Sequence, residues 1–111
     1  MSHIHEENPA EMDRWLSRCD EVLALLDCAL RGCHARSHPV VHRALTESVR
    51  SLELASEDVA GRVLSLLDYC MAESGQGRFD EAAEVLIELK ESWIEAMAMI
   101  RRERDRAATL N

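Results

Sequence analysis

In Pro9-Ala10-Glu11-Met12-Asp13-Arg14-Trp15-Leu16-Ser17-Arg18-Cys19-Asp20-Glu21-Val22-Leu23-Ala24-Leu25-Leu26-Asp27-Cys28-Ala29-Leu30-Arg31-Gly32-Cys33, one apolar series decides the fold. Met12, Leu16, Cys19, Leu23, Leu26, Leu30 and Cys33 follow one another at alternating steps of four and three. That spacing keeps them on one face of a helix, whereas a strand would require alternation with period two. Asn8 is a capping residue, Pro9 suits the first helical position, and Glu11 stands where a capping box places an acid.

Working outward, His38-Pro39 ends this pattern, because proline lacks an amide hydrogen and clashes with the preceding turn. Pro39 instead opens a second helix with Val41, Leu45, Val49 and Leu52 along its stripe. Ser56-Glu57-Asp58 starts a third, in which a hydroxyl caps and two acids suit the positive helix end. Its stripe is Ala60, Val63, Leu64, Leu67, Cys70 and Met71, and Gly75-Gln76-Gly77 stops it. Asp80-Glu81 opens a fourth, with Ala82, Leu86, Leu89, Trp93, Met97 and Ile100 on one face. Arg101, Arg102, Arg104 and Arg106 then complement the negative end of that helix. Short connections make successive helices antiparallel neighbours, so the expected fold is all-α, an antiparallel up-and-down four-helix bundle. The expected organisation is a flexible N-terminus over 1–8, a single bundle domain over 9–106, and a frayed tail over 107–111.

Two helices carry more apolar surface than one stripe. Trp15, Val22, Leu25 and Ala29 form a second row on the first helix; Val59, Leu66 and Tyr69 lie outside the stripe of the third. Either these helices are buried on two sides, inside the bundle or against a second copy, or the extra rows build a groove for a segment of another protein.

The whole chain narrows the function. Its 111 residues fit one domain, and an apolar fraction of 47% excludes global disorder. A net charge of −8 argues against nucleic acid and anionic membranes, which need clustered cations. No apolar run approaches the ~20 residues that span a bilayer, and the first residues have no secretory pattern. A cytoplasmic protein follows as the expectation, with Cys19, Cys28, Cys33 and Cys70 reduced.

No catalytic residue, cofactor site or metal site emerges. Cys33, His34, His38 and His42 would suit a metal-binding helical bundle if the helix were unbroken, but Pro39 turns the chain between them, and the spacing fits no zinc pattern. Exposed histidines and small apolar thiols are the plainer reading. Glu84, Glu88, Glu91 and Glu95 read as a solvated face of the fourth helix. Gly77-Arg78-Phe79-Asp80-Glu81-Ala82 looks like the start of a tetratricopeptide repeat, which offers a helical interaction scaffold as an alternative. Such arrays need several copies of a ~34-residue unit.

The stretch from Val22 to Arg106 resembles the FliS family of flagellar export chaperones. Leu23-Ala24-Leu25-Leu26-Asp27-Cys28-Ala29-Leu30 is similar to the family's Leu-x-Leu-Tyr-Asp-Gly-Ala-Leu signature. Leu64-Ser65-Leu66-Leu67-Asp68-Tyr69-Cys70-Met71 resembles its second Leu-Tyr element, and Val85 to Ala96 its closing helix with Trp93. Leu26 and Leu67 stand where the family has tyrosines and Cys28 where it has glycine, which marks a divergent or shortened member. The resemblance implies a chaperone of type III secretion that holds the disordered C-terminal segment of flagellin, or another flagellar export protein, and prevents premature assembly. It further implies that Leu23, Leu26, Leu30, Leu66 and Tyr69 contact the partner or support its groove, with Trp93 in the core.

Overall fold

The computed structural model describes residues 9–52 and 57–110. Four helices follow in order: α1 (Pro9–His34), α2 (His38–Leu52), α3 (Glu57–Gly75) and α4 (Phe79–Leu110). Each packs on its neighbours in a ring, α1 on α2, α2 on α3, α3 on α4 and α4 on α1. Ion pairs fix the directions. Asp27 meets Lys90, Asp20 meets Arg101 and Asp13 meets Arg104, so residue numbers fall along α1 as they rise along α4. His38 at the start of α2 bonds Ser74 at the end of α3, and the Cys70 thiol reaches the Ala82 carbonyl of α4. The result is the expected antiparallel four-helix bundle. Asn8 and Ser56, both read as caps, lie outside the described residues, as do the side chains of Val59 and Ala60.

Two turns that close the bundle at one end share a geometry. After α1, Ser37 N–H returns to the Gly32 carbonyl and Arg36 N–H to that of Cys33. After α3, Arg78 N–H returns to Glu73 and Gly77 N–H to Ser74. Both are Schellman closures, which require a left-handed residue just past the helix. Gly77 supplies it freely at φ 81°, whereas Arg36 takes φ 54° despite its side chain. The Arg36 guanidinium lies 5.4 Å from the centre of the Phe79 ring and 3.7 Å from Asp80, and so ties the two turns together.

The main core is built from Val22, Leu26, Ala29, Leu45, Leu67, Cys70, Ala82 and Leu86 and their neighbours. Leu26, Leu45, Leu67 and Leu86 are fully covered, and burial of each contributes about 1.5–3 kcal/mol. A second cluster of Leu16, Cys19 and Met97 sits farther along α1 and α4, and Trp93 packs against both clusters. The split follows from helix length. α1 and α4 have 26 and 32 residues, against 15 and 19 in α2 and α3. The long pair therefore projects past the short pair as a two-helix hairpin, and the molecule is 51 Å long but only 24 by 18 Å across. α4 stays helical to Leu110 rather than ending near Arg106. Its last turn therefore holds no basic residue, and the arginines act elsewhere than at the helix end: Arg101 and Arg104 pair with Asp20 and Asp13 of α1. Thr109 adds a hydroxyl bond to the Asp105 carbonyl in the last turn.

Candidate functional site

α1 and α3 each pack on both α2 and α4, so how each helix is turned towards the core decides which apolar rows remain exposed. On α1 most of the apolar arc faces inward. Val22 and Ala29 of its second row are core, and Trp15 and Leu25 are half-buried. Leu26 and Leu30, read from the sequence as partner-contacting or supporting, are sealed in the main core and can act only as support. Leu23 is half-buried against the second cluster. On α3 the outcome differs. Val63, Leu67 and Cys70 fill its core side, leaving Leu66 at 40% exposure and Tyr69 at 45% on the outside. α4 adds Ile87, Ile94 and Met99 as exposed apolar side chains.

Polar contacts frame the α3 surface around Tyr69. Glu73 receives two bonds from the Arg78 guanidinium, from Nε at 3.0 Å and from an Nη at 2.9 Å, and a long one from the Tyr69 hydroxyl at 3.4 Å. The guanidinium holds the Glu73 carboxyl below the usual range, offsetting partial desolvation. Desolvation first, then the Glu73 and Glu81 carboxylates, push the Tyr69 phenol above its ordinary value. At working pH it is a neutral hydroxyl on an aromatic ring, with an apolar body and a polar tip. Such residues carry much of the energy in protein interfaces.

The histidines and thiols take other roles. His34 and His42 are exposed, while Cys33 turns into the core at 2% exposure. Among the described residues no group of three or more His, Cys, Asp or Glu side chains converges as metal ligands would. His38 is half-buried rather than simply exposed in a polar connection. Its Nδ1 lies 2.9 Å from Ser74 Oγ, and that hydroxyl donates to the Met71 carbonyl. The contact fastens α2 to α3. Gly77 to Ala82 forms the turn into α4 and its first residues.

Burial pushes the Cys70 thiol up to about 12, aided by Cys33 and Glu73, and raises Cys19 and Cys33 as well. Thiolates are the reactive species, so these three are inert in the folded state. Cys28 is only half-buried. An aromatic disulfide reagent at pH 8 should label Cys28 first and the other three only on unfolding; prompt labelling of Cys70 would contradict this core. Among the described residues, no helix is long and apolar enough to cross a membrane. No protein-family model, curated protein or solved structure matches the chain.

Proposed function

We propose that the protein is a cytoplasmic export chaperone of the FliS type, which holds a disordered segment of flagellin or of another flagellar export protein. One observation carries this reading: Leu66 and Tyr69 stay exposed on α3 although its core side is already filled. An apolar pair kept in water costs solubility and contributes little to the fold, which is the signature of a contact surface. A pre-built helical face also suits a disordered client, because rigid apolar surface offsets the entropy lost as the client orders. The order of the three sequence elements that resemble the FliS family supports the same reading. The inward-facing leucines hold the bundle, and α3 presents the surface.

Isothermal titration with the C-terminal segment of flagellin from the same genome tests it. Binding at 1:1, micromolar or tighter, with a negative heat-capacity change from apolar burial, is the expected result. Absence of heat at several temperatures would remove flagellin as the client. Tyr69→Glu should weaken the complex roughly tenfold or more. Its helical circular dichroism and melting point should stay close to the parent's, since the ring leaves no cavity. A large loss of helicity in that variant would reassign Tyr69 to the fold.

A further inference from the structure

The chemistry of the bound segment can be narrowed, given that this protein holds another chain through α3. Glu81, Glu84, Glu88, Glu91 and Glu95 of α4 follow alternating steps of three and four and so form one row. All five are exposed, and among the described residues none takes part in an ion pair. Asp13, Asp20, Asp27, Glu73 and Asp80, by contrast, each have a basic partner, whereas the exposed Glu21 and Asp68 take part in no ion pair among the described residues. Glu84 and Glu88, like Glu91 and Glu95, are like charges four residues apart, a spacing that opposes the helix carrying them. Glu81 suits the positive end of α4, in whose first turn it lies, but the rest of the row does nothing for the bundle by itself. The row extends about 21 Å along α4.

It also begins beside the exposed apolar pair. Tyr69 precedes Cys70, whose thiol reaches the carbonyl of Ala82, the residue after Glu81. α3 and α4 pack antiparallel, so moving from Tyr69 to Leu66 follows the same direction as moving from Glu81 towards Glu88. An apolar strip on one helix thus runs next to an acidic row on the next, whose Glu81 end also lies near Arg78. We infer that the partner presents an amphipathic helix whose apolar face sits on Leu66 and Tyr69 and whose flank carries lysine or arginine for Glu81, Glu84 and Glu88.

A second copy of this chain has the wrong sign, with a net charge of −8. In its arginine-rich stretch, Arg101, Arg104 and Arg106 are engaged with Asp20, Asp13 and Glu103, which leaves Arg102 alone there outside an ion pair among the described residues. The chain segments outside the described residues carry Glu6, Glu7 and Glu53, and no lysine or arginine.

Two designed helical peptides of about twenty residues test the inference, sharing one leucine face but flanked by lysine and arginine in one and by glutamate in the other. Fluorescence anisotropy should show the basic peptide binding at least about tenfold more tightly than the acidic one, and weakening about tenfold as salt rises from about 50 to about 500 mM. The Leu66→Ser/Tyr69→Ser and Glu81→Gln/Glu84→Gln/Glu88→Gln variants should each bind it several-fold more weakly. All five residues are exposed, so melting curves serve as the folding control. Equal binding of both peptides overturns the inference. So does unchanged binding by the serine variant, which would mean diffuse attraction to an acidic protein, and so does occupation of this face by a second copy in sedimentation. The flagellin segment separates this inference from the reading on which it rests. If that segment binds, and is lost with Leu66 and Tyr69 but not with the glutamates, the chaperone reading stands and the charge inference fails. If only the basic peptide binds, the charge inference stands and flagellin is not the client.

Discussion

Gly32→Leu lowers the stability of this protein by about 3 kcal/mol and its melting temperature by roughly 10 °C. Glycine inside a helix usually costs about 1 kcal/mol relative to alanine, so a larger residue would ordinarily help. Here the helices approach too closely for it. A Cβ at position 32 would lie 2.9 Å from a methyl of Val40, 2.9 Å from one of Val41 and 3.0 Å from the Val41 backbone nitrogen. Valine methyls cannot swing away as a flexible chain end can, and the backbone atom is fixed by the first turn of α2. Gly32 also supplies the carbonyl that closes the Schellman turn, so any shift of α1 strains that closure. Gly32→Ala should cost less, about 1–2 kcal/mol after its propensity gain. Adding Val40→Ala should recover part of that loss, because Val40 is exposed and gives up little when truncated. Thermal melts followed by circular dichroism decide the matter. A Gly32→Leu protein melting with the parent would show that α1 and α2 do not meet this closely.

Trp93→Ala is the second large effect, a loss of about 3 kcal/mol, at the low end for a tryptophan because the ring is only half-buried. Trp93 packs against both the main core and the Leu16–Cys19–Met97 cluster, and its indole N–H donates to the Cys19 carbonyl across α1 at 3.0 Å. Truncation removes ring and bond together and unlinks the hairpin from the bundle. Trp93→Phe keeps most of the packing and loses the bond, so about 1 kcal/mol is expected. The distinctive readout is hydrogen exchange. Amides around Leu16 and Met97 should lose far more protection in Trp93→Ala than amides around Leu45 and Leu67. Equal losses in both regions would mean that Trp93 is ordinary core rather than the link between two clusters.

The helix order, the breaks at His38-Pro39 and Gly75-Gln76-Gly77, and the inner stripes were legible because they depend on local spacing and turn chemistry. The stripe Val41, Leu45, Val49, Leu52 is the buried side of α2, with Val49 half-covered. What spacing cannot reveal is how far each helix is turned towards the core. Val22 and Ala29 on α1 and Leu66 and Tyr69 on α3 read alike as second rows, yet packing buries the first pair and leaves the second exposed. Gly32 was silent for a related reason, since a close approach belongs to two helices and appears in neither alone. Asp13, Asp20 and Asp27, seven residues apart, were a readable signal that went unread. They form a heptad row on α1 whose cations, Arg104, Arg101 and Lys90, are spaced three and eleven apart on α4 and give no matching repeat. The candidate site was half legible: the residue types were visible in the chain, and their exposure was not.

The unequal helix lengths have a mechanical consequence. Residues 9 and 110 lie side by side at the tip of the hairpin, because α1 and α4 are antiparallel and both outlast the short pair. A load pulling these two points apart unzips the seam one contact at a time, whereas a load along parallel elements would shear many contacts at once. The Asp13–Arg104 pair meets the load first, then Asp20–Arg101, and the Trp93 clamp and the Asp27–Lys90 pair only after that. The α3 surface lies beyond all of these, so the hairpin can be peeled some way open before the exposed Leu66–Tyr69 face is disturbed.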